Sequence, residues 1–362
     1  MDKIIDQAWI SLLANAMNKQ DKMRPEIGDT IDLYLTQSRL LSLASKYTDL
    51  PTLLYQTAQA SARRNTTVIV KKLGMPTDYF WKFEYWPRSR AMSTLGQLVK
   101  RVFASMMAQA KEGNMTIVQL EIEPLRITID FEGCVECAGI EGATHELCYY
   151  HAGTFSGILS GLINQELDAY ETACQATGNN YCSFVVGAKE DTYIKDGNSN
   201  YLLQSEVSAD LVARLDKTLQ NQSVRPLGNQ VNVNYHRLAI ANALNADPER
   251  LATNHFQAGF EFGRKLASKL ANFYGDYELD NLSKYYSQLG ELRIEIKGNQ
   301  VLLELMLTEC AESIGSDKPM EMMSFLFGEL QGLTSEIIKE EMRVRESHFD
   351  GERLHLTLSS QS

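Results

Sequence analysis

Alternation of hydrophobic and polar residues predicts two hairpins in this chain. Residues 120–137 read LEIEPLRITIDFEGCVEC, with two alternating runs around a Glu-Pro pair, and residues 294–310 read IEIKGNQVLLELMLTEC, with two runs around a Lys-Gly-Asn turn. A period of two is typical of strands with one buried face, and Pro, Gly and Asn favour turns. Both segments end in Glu-Cys, which pairs Cys137 with Cys310 if the segments are repeats.

A helical pattern with regularly spaced glycines follows each predicted hairpin. Gly153, Gly157 and Gly161 are four residues apart in the first, as are Gly328 and Gly332 in the second. This spacing puts the glycines on one helix face, where a sheet or a second helix can approach closely. Each glycine costs about 1 kcal/mol of helix propensity relative to alanine, so we expect close packing to compensate.

The repeated order of hairpin, glycine-striped helix and strand predicts an α+β (α/β) fold with two copies of one unit. Arg-Pro followed by Gly opens both copies, and strand-like runs close them at residues 181–186 and 353–358. The predicted domains are an amphipathic N-terminal helix at 1–23, a first unit at 24–188, a linker with one helix at 189–224, and a second unit at 225–362.

Charge and composition narrow the classes of function. The chain has 362 residues and a formal net charge of −11, which argues against nucleic acid as a main partner. No apolar run of about 18 residues and no signal-peptide pattern occur, so we expect a cytoplasmic protein without a transmembrane segment. Six cysteines are too few for a disulfide scaffold and favour metal binding or catalysis.

Cys148, Glu171, Cys174 and Cys182 have a spacing that favours a metal site. If the helix reaches Glu171 and Cys174, their i, i+3 spacing points both donors the same way. A Gly-Asn-Asn turn then returns the chain to Cys182. Three thiolates and one carboxylate fill the four positions of a structural Zn²⁺ ion and leave none open for catalysis. The alternative is that these cysteines are small buried core residues.

The second copy predicts no equivalent metal site. Alignment of the glycines places Met323 opposite Cys148, Glu346 opposite Glu171, Phe349 opposite Cys174, and His355 near Cys182. Cys134 and Cys137, with His145 or His151, remain competing ligands. The pairing of Cys137 with Cys310 nevertheless favours a core role for Cys137.

An aromatic run at residues 78–87, DYFWKFEYWP, is the candidate ligand-binding or partner-binding segment. Aromatic side chains commonly line apolar pockets, and nearby Arg88 and Arg90 suit a ligand carboxylate. The alternative is that the run packs a strand onto the core. The candidate ligand-binding residues are Tyr79, Phe80, Trp81, Phe83, Tyr85, Trp86, Tyr149 and His151.

Three segments resemble the 4-vinyl reductase domain family: ECAG at 136–139, CYYHAGTFSG at 148–157, and ETACQATGNNYCSF at 171–184. The family includes hydrocarbon-binding proteins and sensor domains of activators that respond to phenol or xylene. The resemblance covers residues 24–188 well and 225–358 weakly. It implies zinc on Cys148, Glu171, Cys174 and Cys182, and a fold like that of TRAPP subunits. It also implies a homodimer or an intramolecular pseudo-dimer.

These observations favour a non-enzymatic, zinc-containing protein that binds a hydrophobic small molecule, such as a tetrapyrrole, an aromatic compound or a lipid. Its role would be sensory, carrier or assembly. The first alternative is a vinyl reductase, or its accessory subunit, acting on a (bacterio)chlorophyll precursor. No GxGxxG dinucleotide fingerprint supports it. The second alternative is a scaffold for a photosynthetic complex that acts through residues 78–87.

Overall fold

The structure, a computed structural model, describes most of both predicted units. The N-terminal helix predicted at 1–23, the aromatic run at 78–87 and residues 189–213 of the linker lie outside the described residues. The described ranges are 24–47, 49–72, 104–109, 111–122, 124–188, 214–246, 248–313, 319–350 and 352–360.

Helices and strands follow the predicted order in both halves of the chain. The first half contains β1 (Thr30–Asp32), α1 (Leu33–Ala44), α2 (Leu50–Lys72), α3 (Ala104–Gln109), β2 (Asn114–Ile122), β3 (Leu125–Glu132), α4 (Tyr149–Ile163), β4 (Leu167–Ala173) and β5 (Cys182–Ala188). Residues 214–219 are helical. The second half contains β6 (Gln230–Asn232), α5 (Val233–Ala246), α6 (Pro248–Tyr274), α7 (Asp280–Gln288), β7 (Arg293–Gly298), β8 (Leu302–Thr308), α8 (Pro319–Met322), α9 (Ser324–Ile338), β9 (Met342–Phe349) and β10 (Arg353–Ser360).

Two antiparallel four-stranded sheets have the same topology. Their strand orders are β2-β3-β5-β4 and β7-β8-β10-β9. The hairpins predicted from alternation are confirmed, because β2 pairs with β3 and β7 pairs with β8. Alternate residues of β3, among them Ile127, Ile129 and Phe131, are buried, as the period of two requires. The predicted class, antiparallel sheets packed with helices, is confirmed.

The described chain divides into two compact units. Residues 51–188 belong to unit 1, whereas residues 24–50 and 214–360 belong to unit 2. Residues 24–50 therefore group with the second half, although the sequence placed them at the start of the first unit. The buried Arg24 side chain accounts for part of this grouping, since it donates to the backbone oxygens of Glu291 (3.0 Å) and Glu309 (3.3 Å).

The glycine stripes lie where two helices meet in each unit. A Cβ added at Gly153 would overlap the backbone of Tyr55 in α2, and one added at Gly328 would overlap the backbone of Phe256 in α6. The predicted close approach is confirmed, and a second helix makes it. Among the described residues, no helix is both long enough and apolar enough to span a membrane.

Candidate metal centre

Unit 1 brings all four predicted metal ligands together in its interior. Cys148 directly precedes α4, Glu171 lies in β4, Cys174 follows β4, and Cys182 begins β5. The prediction that Glu171 and Cys174 share a helical turn is wrong, because α4 ends at Ile163. Asn164 ends the helix with a φ of 51°, in the left-handed region.

A β-bulge and a tight turn replace the helical spacing. The pairing of β4 with β5 shifts register between Glu171 and Ala173, which re-aims the end of the strand. A 3₁₀ turn at Gln175–Thr177 follows, and Gly178 has a φ of 95°. The predicted glycine turn therefore returns the chain to Cys182.

Cys134 and Cys137 also lie in this cluster. The amide of Ala138 donates to the backbone oxygen of Cys134 (2.8 Å) in a tight turn that carries both thiols. Their Sγ atoms lie close to those of two predicted ligands: Cys134 is 3.4 Å from Cys148, and Cys137 is 3.2 Å from Cys182. The sequence missed this proximity, although the C-x2-C spacing is itself a signal for a metal site.

Separations among the thiols fit metal ligation better than disulfides. Cys148 Sγ lies 3.6 Å from Cys182 Sγ and 3.9 Å from Cys174 Sγ, far beyond the bonded length of about 2.0 Å. A tetrahedral zinc with Zn–S bonds near 2.3 Å places its sulfurs about 3.8 Å apart. Two sets of donor atoms each lie within 4.8 Å of one another: Cys148, Glu171, Cys174 and Cys182, and Cys134, Cys137, Cys148 and Cys182.

Glu171 has one paired and one unpaired carboxylate oxygen. Its Oε2 accepts from the Cys148 amide at 2.8 Å, whereas its buried Oε1 has no hydrogen-bond partner among the described residues. Burial raises the pKa of Glu171 well above its ordinary value, and the neighbouring thiolates of Cys174 and Cys182 act in the same direction. A buried carboxylate oxygen is costly unless a cation or a donor pairs with it. The donor set therefore fits a metal ion.

His151 lies beside the cluster and is fully buried. Its Nδ1 contacts Glu136 Oε2 and lies 3.6 Å from Cys134 Sγ, and its Nε2 lies 3.5 Å from Glu112 Oε2. Burial alone would lower the pKa of His151, but Cys134 and Glu136 outweigh it and raise the pKa. Glu136 also accepts from the first amides of α4. The predicted ligand-binding role of His151 and of the buried Tyr149 stays a prediction.

Unit 2 has equivalent positions without the thiol cluster. Val135 N donates to Glu112 O in unit 1, as Ala311 N does to Glu291 O in unit 2. This register pairs Cys134 with Cys310, Glu136 with Glu312, and Cys137 with Ser313. The sequence-based pairing of Cys137 with Cys310 is therefore wrong, and so is the argument for a core role that rested on it. In the same register Leu354, not His355, stands opposite Cys182, because Phe131 pairs with Cys182 as Leu307 does with Leu354.

A fully buried arginine fills the corresponding interior of unit 2. Arg39 Nη1 lies 2.9 Å from Glu291 Oε1, 2.7 Å from Glu312 Oε1 and 3.3 Å from His236 Nε2. These three residues have the donor types of a metal site. The guanidinium already stands among those donors, so unit 2 supplies its own cation there.

A groove in unit 1 lies beside α2. Its volume is about 570 Å³, within the range of small-molecule sites. Three cationic side chains, Arg63, Arg64 and Lys71, line it together with Glu166, so its lining carries a net positive charge in an acidic chain. Apolar lining comes from residues such as Ala60, Val68 and Leu167.

Comparison with known proteins supports the resemblance in one segment. Residues 127–188 match the sequence model of the 4-vinyl reductase domain. This segment contains all four predicted metal ligands, together with Cys134 and Cys137. Residues 225–358, the second copy predicted from the sequence, lie outside the matched segment.

Two curated relatives come from Methanocaldococcus jannaschii. The uncharacterized protein MJ0150 is 26% identical over 91 residues, which is 25% of this chain and 51% of that protein. The uncharacterized protein MJ1642 is 32% identical over 63 residues, which is 17% of this chain and 38% of that protein. The chain thus spans about half or less of the length of these relatives.

Similar solved structures include two helix-and-sheet domains. One is the phenol-responsive sensory domain of the transcription activator PoxR, with a TM-score of 0.32 and 12% identity, covering 49% of this chain and 79% of that one. The other is a trafficking protein particle complex subunit 3 from Naegleria fowleri covalently bound to palmitic acid. Its TM-score is 0.30 at 12% identity, covering 52% of this chain and 94% of that one.

Proposed function

We propose that this chain is a zinc-containing, small-molecule-binding protein in which Cys148, Glu171, Cys174 and Cys182 hold a structural metal ion. The observation that carries the metal is the buried, unpaired Oε1 of Glu171 beside three thiols. A divalent cation there would pair with that oxygen and with the thiolates. Zinc suits this mixture of sulfur and carboxylate donors, and four protein ligands leave no position for a reacting water.

Structural zinc would connect parts of unit 1 that the sheet alone does not join. Cys148 stands at the start of α4, Cys174 at the end of β4 and Cys182 at the start of β5. A metal ion bound to all three fixes the helix against the sheet edge. It would therefore stabilise the scaffold and take no part in a reaction.

Metal content tests this assignment. The intact protein, purified without added chelator, should retain zinc by inductively coupled plasma mass spectrometry. Cys174→Ala should retain less zinc, and Cys310→Ala, a buried cysteine of unit 2, should retain as much as the wild type. A wild-type protein without zinc, or a Cys174→Ala protein with unchanged zinc and unchanged melting, contradicts the assignment.

The groove beside α2 supports the small-molecule part of the proposal and indicates a ligand class. Arg64 and Lys71 offer positive charge, while Ala60, Val68 and Leu167 offer apolar surface. Such a lining fits a ligand with an apolar body and an acidic group. The family match at residues 127–188 supports a sensory or carrier role, since the resemblance implies binding of hydrophobic compounds.

Calorimetry with matched ligands tests the groove. Palmitate should bind more tightly than hexadecanol, which has the same chain length and no charge. The double variant Arg64→Gln/Lys71→Gln should lose this preference, whereas Lys265→Gln, an exposed lysine of unit 2, should keep it. Equal binding of both ligands, or no effect of the double variant, excludes the groove. Turnover of divinyl chlorophyllide with a reductant would identify an enzyme instead.

A further inference from the structure

The thiol cluster of unit 1 has more donors than one metal ion can use. Five cysteines and Glu171 form two four-membered donor sets, and the two sets share Cys148 and Cys182. Cys134 and Cys137 belong only to the first set, and Glu171 and Cys174 only to the second. Six donors divided in this way are what two tetrahedral ions need when two thiolates bridge them.

We propose that unit 1 holds two zinc ions bridged by the thiolates of Cys148 and Cys182. This inference rests on the proposed zinc site and adds a second ion, bound terminally by Cys134 and Cys137. The bridging sulfurs lie 3.6 Å apart. That distance is close to the edge of about 3.8 Å that any tetrahedral zinc with Zn–S bonds near 2.3 Å requires, so the same pair of sulfurs can serve both ions.

Distances from terminal to bridging sulfurs support the same arrangement. Cys134 Sγ lies 3.4 Å from Cys148 Sγ, and Cys137 Sγ lies 3.2 Å from Cys182 Sγ. On the other side, Cys174 Sγ lies 3.9 Å from Cys148 Sγ. Each bridging sulfur thus has a terminal partner in the Cys134–Cys137 pair, and Cys148 has a further one in Cys174.

A single ion leaves part of the cluster unexplained, whichever set it occupies. An ion in the set with Glu171 leaves Cys134 and Cys137 buried against two of its ligand sulfurs. An ion in the four-cysteine set leaves Glu171 Oε1 buried without a partner among the described residues. Two ions use every donor, and sulfur has enough lone pairs for a thiolate to bind both.

Charge favours the same count. The six donors carry six negative charges when all are ionised, so one Zn²⁺ leaves four of them uncompensated and two Zn²⁺ leave two. Buried uncompensated charge is costly, so the second ion stabilises the ionised cluster.

Zinc stoichiometry of the intact chain tests the second ion. Native mass spectrometry after zinc saturation and removal of loosely bound metal should show two zinc ions per chain in the wild type. The variants Cys134→Ala/Cys137→Ala and Glu171→Gln/Cys174→Ala should each retain one, and Cys310→Ala should retain two. One ion in the wild type overturns the second site and leaves the proposed zinc site standing. No zinc overturns both.

A measurement on the wild type alone decides the matter if the variants do not fold. After exchange with ¹¹³Cd, the protein should give two cadmium resonances in the region of sulfur-rich coordination, coupled through the shared thiolates. A single resonance, or bound iron with acid-labile sulfide in the purified protein, overturns the two-zinc cluster.

Discussion

The two units solve the problem of buried negative charge in different ways. In unit 2, Arg39 lies among Glu291, Glu312 and His236 and supplies a permanent positive charge from within the chain. In unit 1, Glu171 and the thiols lie together, and Glu171 Oε1 has no partner among the described residues. The equivalent positions thus differ in where the cation comes from: a side chain in unit 2, and in our account a metal ion in unit 1.

Glu171 and its counterpart show this contrast most simply. In unit 1 the glutamate is 7% exposed and adjoins three thiols, whereas in unit 2 Glu346 is exposed. The cysteine positions in unit 2 hold Met323, Phe349 and Leu354 instead. A carboxylate is therefore buried at this position only where thiols accompany it, as expected of a ligand.

Removal of the metal from unit 1 should have the largest effect on the comparison. Structural zinc contributes on the order of 10 kcal/mol of apparent binding free energy, comparable with the stability of a whole domain. A strong zinc chelator should therefore unfold unit 1 and leave the sheet of unit 2 protected, as followed by hydrogen exchange with mass spectrometry. Cys148→Ala should reproduce this result without chelator. Equal loss of protection in both units would contradict the contrast.

Loss of the internal cation of unit 2 should have the next largest effect. Arg39→Met leaves Glu291 and Glu312 buried without their partner, and breaking a buried ion pair on one side costs about 3–5 kcal/mol. Denaturant unfolding measures this cost. The control Arg343→Met removes an exposed pair with Glu341 and should change stability by less than about 1 kcal/mol. Similar small changes in both variants would show that Arg39 is not needed for charge compensation.

A pH-dependent effect should come from Glu329, which lies 3.5 Å from Arg39. Burial raises the pKa of Glu329 to about 7, and Glu291 adds to the rise although Arg39 opposes it. The protonated form is thus favoured in the folded state, so this contribution to stability is complete below about pH 4.5 and is lost as the pH rises through 7.

Glu329→Gln should remove that loss. Stability of the variant relative to the wild type should rise by up to about 3 kcal/mol between pH 4.5 and pH 8. Denaturant unfolding at several pH values provides the measurement, with the exposed Glu346→Gln as control. A pH-independent difference between variant and wild type would mean that Glu329 does not titrate in this range.

The smallest effect should be alike in the two units. Gly157→Ala and Gly332→Ala both place a methyl group against the backbone of a neighbouring helix. Overpacking of this kind costs about 1–3 kcal/mol, partly offset by the better helix propensity of alanine. Thermal melting should show similar decreases for both, and no decrease for Asn65→Ala on the exposed face of α2. A large difference between the two glycine variants would contradict equivalent helix packing.

Local patterns predicted much of the fold. Alternation located both hairpins, and the glycine spacing located the helix contact, because both are periodic features of short segments. The strands β4 and β9 were missed. The stretch of β4 (LDAYETA) continues directly from α4, and a single left-handed residue, Asn164, ends that helix.

Predictions of the site succeeded where ligand types were sufficient and failed where register decided. Cys148, Glu171, Cys174 and Cys182 do come together, but Cys137 was assigned to the core from an alignment one turn out of register. The backbone shows the correct register, since Gly133 and Glu309 both have positive φ at equivalent turns. The role of Arg39 could not be predicted, because its partners lie more than 250 residues away in sequence.

Zinc-edge X-ray absorption on the intact, purified protein tests the central claim most directly. The account predicts zinc surrounded mainly by sulfur at about 2.3 Å, and loss of that signal in Cys148→Ala. Zinc bound only by nitrogen and oxygen, or a spectrum unchanged in Cys148→Ala, would show that the metal does not lie among the thiols of unit 1. Either result would contradict the account.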